Sequence, residues 1–408
     1  MNLKRRAKLL SRITFLILAQ QNLSGATLTA AHRGARHLSL GLRLTNPTEM
    51  DRALKMSEAI ALASNSENVL AGRQLGLIVY QFQLAQGFWE SYTIADLPTP
   101  QAVGLAEQHR PVAFELDPPH ALIAGSTGSG KSETVKTVLL SLMRSYSPDE
   151  LQLVLVDPNH DYSDFDNVAH LAIPIASNPE AIQRALAYAN LELVNRIEAN
   201  NKAAKLLVVA IDEAETDIAL GDTVNLELAR NIGKRGRAYR VHLLIASQKP
   251  TQKTLAGLVD QCLNRFVGLV ANANESVYLT GHSGLEAHKL TGKGDFIHIA
   301  GPDIARFQVA KTGPKDFDRL ERAEIKPVKV EPDLIILPDG QDASTGGRPA
   351  LKVDPVLAAR YLWYNPNAIS ITRGQEEFNL NRRAHNLHKA FAIELAAELK
   401  RLRKGMMV

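Results

Sequence analysis

A single cysteine, Cys262, stands among the 408 residues. That excludes intramolecular disulfides and cysteine-built zinc clusters, and it fits a reducing cytosol. Its apolar neighbours suggest a buried structural thiol. Long apolar runs are scarce too: the longest near the N-terminus, Ile13 to Ala19, is far too short to span a bilayer. Lys4, Arg5, Arg6, Lys8 and Arg12 precede it in the manner of a signal peptide, but Gln20, Gln21 and Asn22 follow at once and no convincing cleavage site appears. The segment reads either as a basic amphipathic helix lying on a neighbour, a membrane surface or DNA, or as the plain first helix of the fold. No large excess of one charge exists either. A net charge of +4 permits nucleic-acid binding without demanding it. Internal repeats and low-complexity tracts are absent. What remains, 45% hydrophobic and 22% charged residues, is the composition of an ordinary soluble protein with ample length for a core. A cytoplasmic location without an integral membrane segment is expected.

The most informative stretch is Ala121-Leu122-Ile123-Ala124 running into Gly125, Ser126, Thr127, Gly128, Ser129, Gly130, Lys131 and Ser132, followed by a helical pattern from Glu133 to Arg144. A short apolar strand opens into G-x-x-x-x-G-K-S and then a helix. Glycines let backbone N–H groups wrap phosphates, and the helix N-terminus faces them. Lys131 can reach the β- and γ-phosphates, and the Ser132 hydroxyl can ligate Mg²⁺. The competing reading is a chance glycine-rich turn. ATP with Mg²⁺ is the expected ligand pair, GTP the other nucleotide this pattern admits.

Leu206 to Ile211 is a second apolar strand, ending in Asp212-Glu213. After a P-loop, the first carboxylate would hold the Mg²⁺ shell and the second would polarise the attacking water. An acid pair at a strand end can also be a helix cap. Glutamate directly after aspartate points to the additional-strand ATPases rather than to GTPases or kinases. The strand at Val241–Ser247 leads into Gln248, whose amide could sense the γ-phosphate, or could simply be a polar strand end. Lys234, Arg235 and Arg237 form a basic helix end. Arg237 could reach a neighbouring subunit's nucleotide as an arginine finger, and Arg265 is a second candidate; a solvated helix end is the alternative.

The pattern along the chain implies four blocks. Residues 1–117 read as an N-terminal helix and a small α/β domain, with strands over His37–Leu44 and Gln74–Leu84 and a helix over Pro47–Ala63. Residues 118–312 alternate strand and helix, with near-continuous apolar strands at Leu151–Val156, Leu206–Ile211, His242–Ala246 and Arg265–Leu269. Such strands predict a mainly parallel sheet covered on both faces, hence an α/β class. Residues 313–350 are rich in proline and glycine and read as a tether. Residues 351–408 form a helical module. In it, Ser370 is a candidate N-cap, a second helix begins at Asn381, and Arg382, Arg383, His385, Asn386 and Lys389 would face a groove or phosphates. A generic helical hairpin is the other reading.

These pieces in this order resemble the FtsK/SpoIIIE family of double-stranded-DNA translocases. Asp157-Pro158-Asn159 is similar to that family's D-P-K turn. Gly236-Arg237-Ala238 through His242-Leu243 and then Ala246–Pro250 is similar to its R-A-x-x-I-H-L and A-T-Q-R-P run. Asn264-Arg265-Phe266 is similar to its T-R-I segment, and Gly292-Lys293-Gly294-Asp295-Phe296 to its G-x-G-D-M turn. Asp354-Pro355, Ser370-Ile371, Gln375–Phe378, Leu380 and Arg383-Ala384 resemble its terminal winged-helix module. The resemblance implies a RecA-like P-loop core, a C-terminal winged-helix domain with Arg373 and Gln375 among its DNA contacts, duplex DNA as partner, and a ring, expected to be a homohexamer. Departures are Asn159 for the turn's lysine, Val277 where many members carry arginine, and a slightly short reading helix. The membrane spans of the cell-division members have no counterpart, so septum anchoring is not expected. Two alternatives stand beside a translocase: a conjugative coupling or secretion ATPase, and a non-motor partition or replication factor using ATP as an assembly switch.

Overall fold

The computed structural model describes residues 3–23, 25–74, 76–216, 219–221, 223–250, 255 and 257–326. The chain divides into two units, Met1–Val328 and Lys329–Val408. The winged-helix module expected at 351–408, and most of the tether expected at 313–350, lie outside the described residues.

The N-terminal part consists of α1 (Leu3–Gln20), β1 (Ala26–Arg33), β2 (His37–Leu44), the short helices α2 (Met50–Leu54) and α3 (Ser57–Ala63), β3 (Val69–Gln74) and β4 (Leu77–Gln83). The four strands form one antiparallel sheet in the order β1-β2-β4-β3. Successive side chains of a strand point to opposite faces. In β2, Leu38, Leu40 and Leu42 enter a core with Leu10, Leu18, Ile60, Tyr80 and Phe82, while His37 and Ser39 meet Glu107 on the other face. The basic N-terminal helix is therefore packed as the first helix of the fold through Leu10 and Leu18. No helix among the described residues is long and apolar enough to cross a membrane.

The helix expected over Pro47–Ala63 is broken. A 3₁₀ turn at Pro47–Glu49 precedes α2, and α3 restarts at Ser57. The Tyr80 hydroxyl donates to the Ala53 carbonyl, an acceptor that an uninterrupted helix would use for its own ladder.

The larger sheet is built from β5 (Ala102–Ala106), β6 (Pro111–Ala113), β7 (Ala121–Ala124), β8 (Leu151–Val156), β9 (Leu206–Ile211), β10 (Val241–Ser247), β11 (Asn264–Val267), β12 (Asp295–Ala300) and β13 (Asp303–Val309). Its order is β6-β5-β13-β12-β11-β7-β10-β9-β8. The run from β8 to β11 is parallel, and the run from β11 to β6 is antiparallel. Helices α4 (Lys131–Ser145), α5 (Pro179–Glu198), α6 (Thr223–Arg235), α7 (Ala273–Thr280) and the single turn α8 (Pro314–Phe317) connect or cover these strands. Residues 102–113, expected in the N-terminal unit, hydrogen-bond into this sheet. A two-residue reversal between β12 and β13 can only return the chain antiparallel, and β13 then offers its edge to β5.

The parallel strands are apolar because both their faces are covered: every side chain of β7, β9 and β10 is buried. The helices start where their sequences dictate. Asn178 caps α5 by accepting from the Ala181 N–H at 3.0 Å, with Pro179 at the first position. Asn272 caps α7 through the Glu275 N–H at 2.9 Å.

Candidate functional site

Strand β7 lies between β10 and β11 in the parallel run, so its carboxyl end opens at the centre of the sheet, where α/β folds of this kind place ligands. Residues 125–130 form the loop between β7 and α4. Gly128 and Gly130 have φ of 81° and 99°, the left-handed region open mainly to glycine. The loop is braced from below. The Ser126 N–H and hydroxyl each donate to the Leu269 carbonyl at 2.8 Å, and the Gly125 N–H donates to Ser247 at 3.3 Å. A second glycine turn, Gly292–Gly294, lies against it. The Lys293 N–H donates to the Gly128 carbonyl at 2.8 Å, and the Gly294 N–H to the Ser129 carbonyl at 2.7 Å. The Gly128 and Ser129 carbonyls of the loop are thus held by the second turn.

Two carboxylates face Lys131 from the end of β9. Its ammonium donates to Asp212, and to Glu213 Oε1 at 3.1 Å. Burial alone would depress the Lys131 ammonium, but Asp212 and Glu213 outweigh it and hold it above its ordinary range. Glu213 has φ 46°, a conformation that costs a non-glycine residue about 1–3 kcal/mol and clusters at functional sites. Gln248 lies between loop and glutamate: its Nε2 donates to Glu213 Oε1 at 2.5 Å, and its Oε1 accepts from the Thr127 hydroxyl at 2.9 Å. Its own N–H is held by Glu215 at 2.8 Å.

Tyr162, which the sequence reading passed over, completes the arrangement. Its hydroxyl donates to Asp212 Oδ2 at 2.7 Å. Burial, with Asp212 beside it, pushes the phenol well above its ordinary range, so it stays a donor. Asp157 sets this loop by accepting from the N–H groups of Asp161 at 3.1 Å and Tyr162 at 2.8 Å. Burial raises the Asp157 carboxyl despite those bonds. A signal was available in the aspartate that ends β8, whose short side chain favours bonds to nearby backbone.

Thr127, Gln248, Glu213, Lys131, Asp212 and Tyr162 thus form one continuous chain of hydrogen bonds and ion pairs. The donor set fits a nucleotide with Mg²⁺: a glycine cradle, one buried lysine, a helix-borne serine and one carboxylate. Mg²⁺ is usually held by one or two carboxylates together with substrate phosphates. Ser132 and Asp212 are the residues that would hold it.

The two arginines lie elsewhere. Arg265 bonds three backbone carbonyls, Cys262 at 2.8 Å, Leu279 at 3.0 Å and Val259 at 3.1 Å. Within the chain these bonds tie β11 to its neighbours. Arg237 precedes β10, at the opposite end of the parallel strands from the loop. Its side chain is 67% exposed and has Asp117 at 3.6 Å. Lys234 and Arg235 are exposed beside it. Arg373, Gln375, Arg382, Arg383, Asn386 and Lys389 lie outside the described residues.

Residues 97–200 match the model of the FtsK/SpoIIIE family. Over 230 residues, half of this chain and 29% of the relative, the chain is 32% identical to the DNA translocase FtsK of Borreliella burgdorferi. It is 28% identical over 318 residues to the DNA translocase SftA of Bacillus subtilis, covering 70% of this chain and 33% of that protein. The chain therefore spans about a third of the length of these curated relatives. Among solved structures, the conjugation coupling protein TcpA of pCW3, with ATPγS, aligns at 17% identity with a TM-score of 0.48 over 76% of this chain and 98% of that one. The cytoplasmic domain of the Thermomonospora curvata type VII secretion ATPase EccC aligns at 24% identity with a TM-score of 0.46, over 52% of this chain and 29% of that one. The phosphate loop lies within the residues that match the FtsK/SpoIIIE family, and over this part the chain is similar to the DNA translocases of that family.

Proposed function

We propose that the protein is an ATP-driven double-stranded-DNA translocase that works as a ring, expected to be a homohexamer, with its C-terminal residues as the DNA-reading module. The observation that carries this reading is the chain of bonds from Thr127 through Gln248 to Glu213 and Lys131. It links the phosphate loop to the proposed base, so ATP at the loop would be felt at Glu213. In this reading Lys131 binds the β- and γ-phosphates, Ser132 and Asp212 hold Mg²⁺, Glu213 activates water and Gln248 senses the γ-phosphate. Arg237, with its side chain 67% exposed, is the cation assigned to act in trans, and the subunit interface would then complete the site. Duplex DNA as substrate is supported by the names of the curated relatives, DNA translocases all. The proposed DNA contacts are Arg373, Gln375, Arg382, Arg383, Asn386 and Lys389; contacts of this kind lose strength as salt rises.

ATP hydrolysis measured without DNA, with single strands and with long linear duplex tests the reading, alongside Lys131→Ala. Many-fold stimulation by duplex that disappears in the variant is expected. Turnover indifferent to duplex but stimulated by a protein substrate would favour the coupling or secretion alternative. Slow turnover that responds to neither would favour the ATP switch.

A further inference from the structure

The Gly292–Gly294 turn does more than lean on the phosphate loop, because it is itself gripped from the N-terminal part of the chain. Arg36, in the turn between β1 and β2, is only 4% exposed. One of its terminal nitrogens donates to the Thr291 hydroxyl at 3.1 Å and to the Gly292 carbonyl at 2.7 Å; the other donates to the Lys293 carbonyl at 2.6 Å. Its guanidinium also sits over the Trp89 ring, 4.5 Å from the centroid. Arg36 is fixed in place by its own backbone, whose carbonyl accepts from the Leu84 N–H at 2.8 Å.

The far side of the turn is fixed as tightly. Asp295 accepts from Arg306 at 2.7 and 2.9 Å, and from the Thr291 N–H and hydroxyl at 2.9 Å. Arg306 in turn bonds Gln81 of β4 at 3.2 Å. The contact of the two glycine turns leaves no slack: a Cβ on Gly130 would come within 2.6 Å of the Gly294 nitrogen, and one on Gly292 within 3.0 Å of the Gly128 carbonyl oxygen. The peptide groups of 128–130 and 292–294 therefore move together or not at all.

We propose that Arg36 is a positioning residue for nucleotide binding, which fixes the Thr291–Gly294 turn and through it the phosphate loop, so that the N-terminal sheet and the nucleotide site share one coupling element. The inference rests on the reading of residues 125–132 as a nucleotide site. Arg36 touches no part of the phosphate loop itself; it sets the orientation of the Gly292 and Lys293 peptides whose neighbouring N–H groups hold the Gly128 and Ser129 carbonyls. Hydrogen bonds from a charged donor are the stronger kind. Reciprocity follows: nucleotide at the loop must stiffen the region around Arg36 and Trp89.

The test has two parts, both on the full-length protein. A fluorescent ATP analogue is first titrated into wild type and Lys131→Ala; loss of binding in the variant establishes the nucleotide site independently. Arg36→Ala is then expected to weaken the analogue about tenfold or more while kcat at saturating ATP stays within about twofold, with Arg36→Lys intermediate because an ammonium cannot span the same acceptors. A folded Arg36→Ala protein that binds like wild type overturns the proposal. Should Arg36→Ala not fold, hydrogen exchange of the wild type decides. Added ATPγS is expected to protect peptides covering 33–40 and 86–91 together with 291–295. Protection of 125–135 alone, with 33–40 and 86–91 unchanged, overturns it as well. Absence of protection anywhere, with no analogue binding, would instead remove the nucleotide reading on which the proposal stands.

Discussion

The two ends of the parallel strands carry opposite chemistry. At the carboxyl ends, Lys131, Asp212, Glu213, Gln248 and Tyr162 are buried or half-buried polar groups that satisfy one another. At the amino ends, His120 precedes β7 and His242 lies in β10, their rings 5.8 Å apart, and burial keeps both neutral, depressed to about 4 and about 3. One end holds paired charge in readiness for a charged ligand; the other excludes charge from the layer and leaves Arg237 outside it. The difference shows that burial alone does not mark a site. Burial together with opposed charges that a ligand can take over does.

Breaking the charged end gives the largest effects. Lys131→Ala is expected to abolish nucleotide binding, read by the same analogue titration, because the remaining carboxylates repel phosphate. Glu213→Gln should keep binding but cut turnover by about 10²–10⁴-fold, the range for a positioned general base; steady-state hydrolysis at saturating ATP checks it. Tyr162→Phe leaves the Asp212 Oδ2 atom without its phenol donor, and a loss of about tenfold in kcat/KM is expected from a hydrogen bond to a charged group.

Breaking the neutral end should affect stability instead. His120, His242 and His298 (the last depressed to about 4) all lie below their ordinary value of 6.5 through burial. Their contribution to stability is present in full above about pH 6.5 and is lost as pH falls toward 4, where the unfolded chain binds protons that the folded one refuses. Denaturant midpoints from pH 8 to 5 should fall, and His242→Gln should flatten that slope while leaving ATP affinity at pH 8 unchanged. Arg265→Ala gives the smallest effect on the site. It should cost about 1–3 kcal/mol of stability through lost bonds to three carbonyls, seen as a lower Tm, with ATP binding within about twofold of wild type.

The carboxyl end was legible because motif and strand coincide there. β8 and β9 run over Leu151–Val156 and Leu206–Ile211, the expected bounds, since uninterrupted apolar residues between polar turns admit few other readings. Glycine spacing fixed the loop for a similar reason. Strands β1 and β3 were not read. Ala26–Arg33 is mostly alanine, threonine and basic residues on an edge strand, and Val69–Gln74 carries Gly72. Their partners, β2 and β4, decide their state. The split of α2 from α3 comes from Tyr80, far along the chain, and no local periodicity encodes it. Tyr162 and Arg36 were missed for the same reason: each is an ordinary residue in its own segment, and only the fold brings it to Asp212 or to the 291–294 turn. The bonds from the Arg265 guanidinium to three nearby carbonyls were likewise not legible, because they depend on how the chain returns around β11.

The central claim is that ATP turnover at this site moves the protein along duplex DNA. Displacement of a triplex-forming strand from one end of a linear duplex tests it most directly, with wild type and Glu213→Gln compared at equal ATP. ATP-dependent displacement by wild type, absent in Glu213→Gln although that protein still binds ATP and DNA, is the predicted result. A wild-type protein that hydrolyses ATP on duplex yet never displaces the third strand would contradict the account.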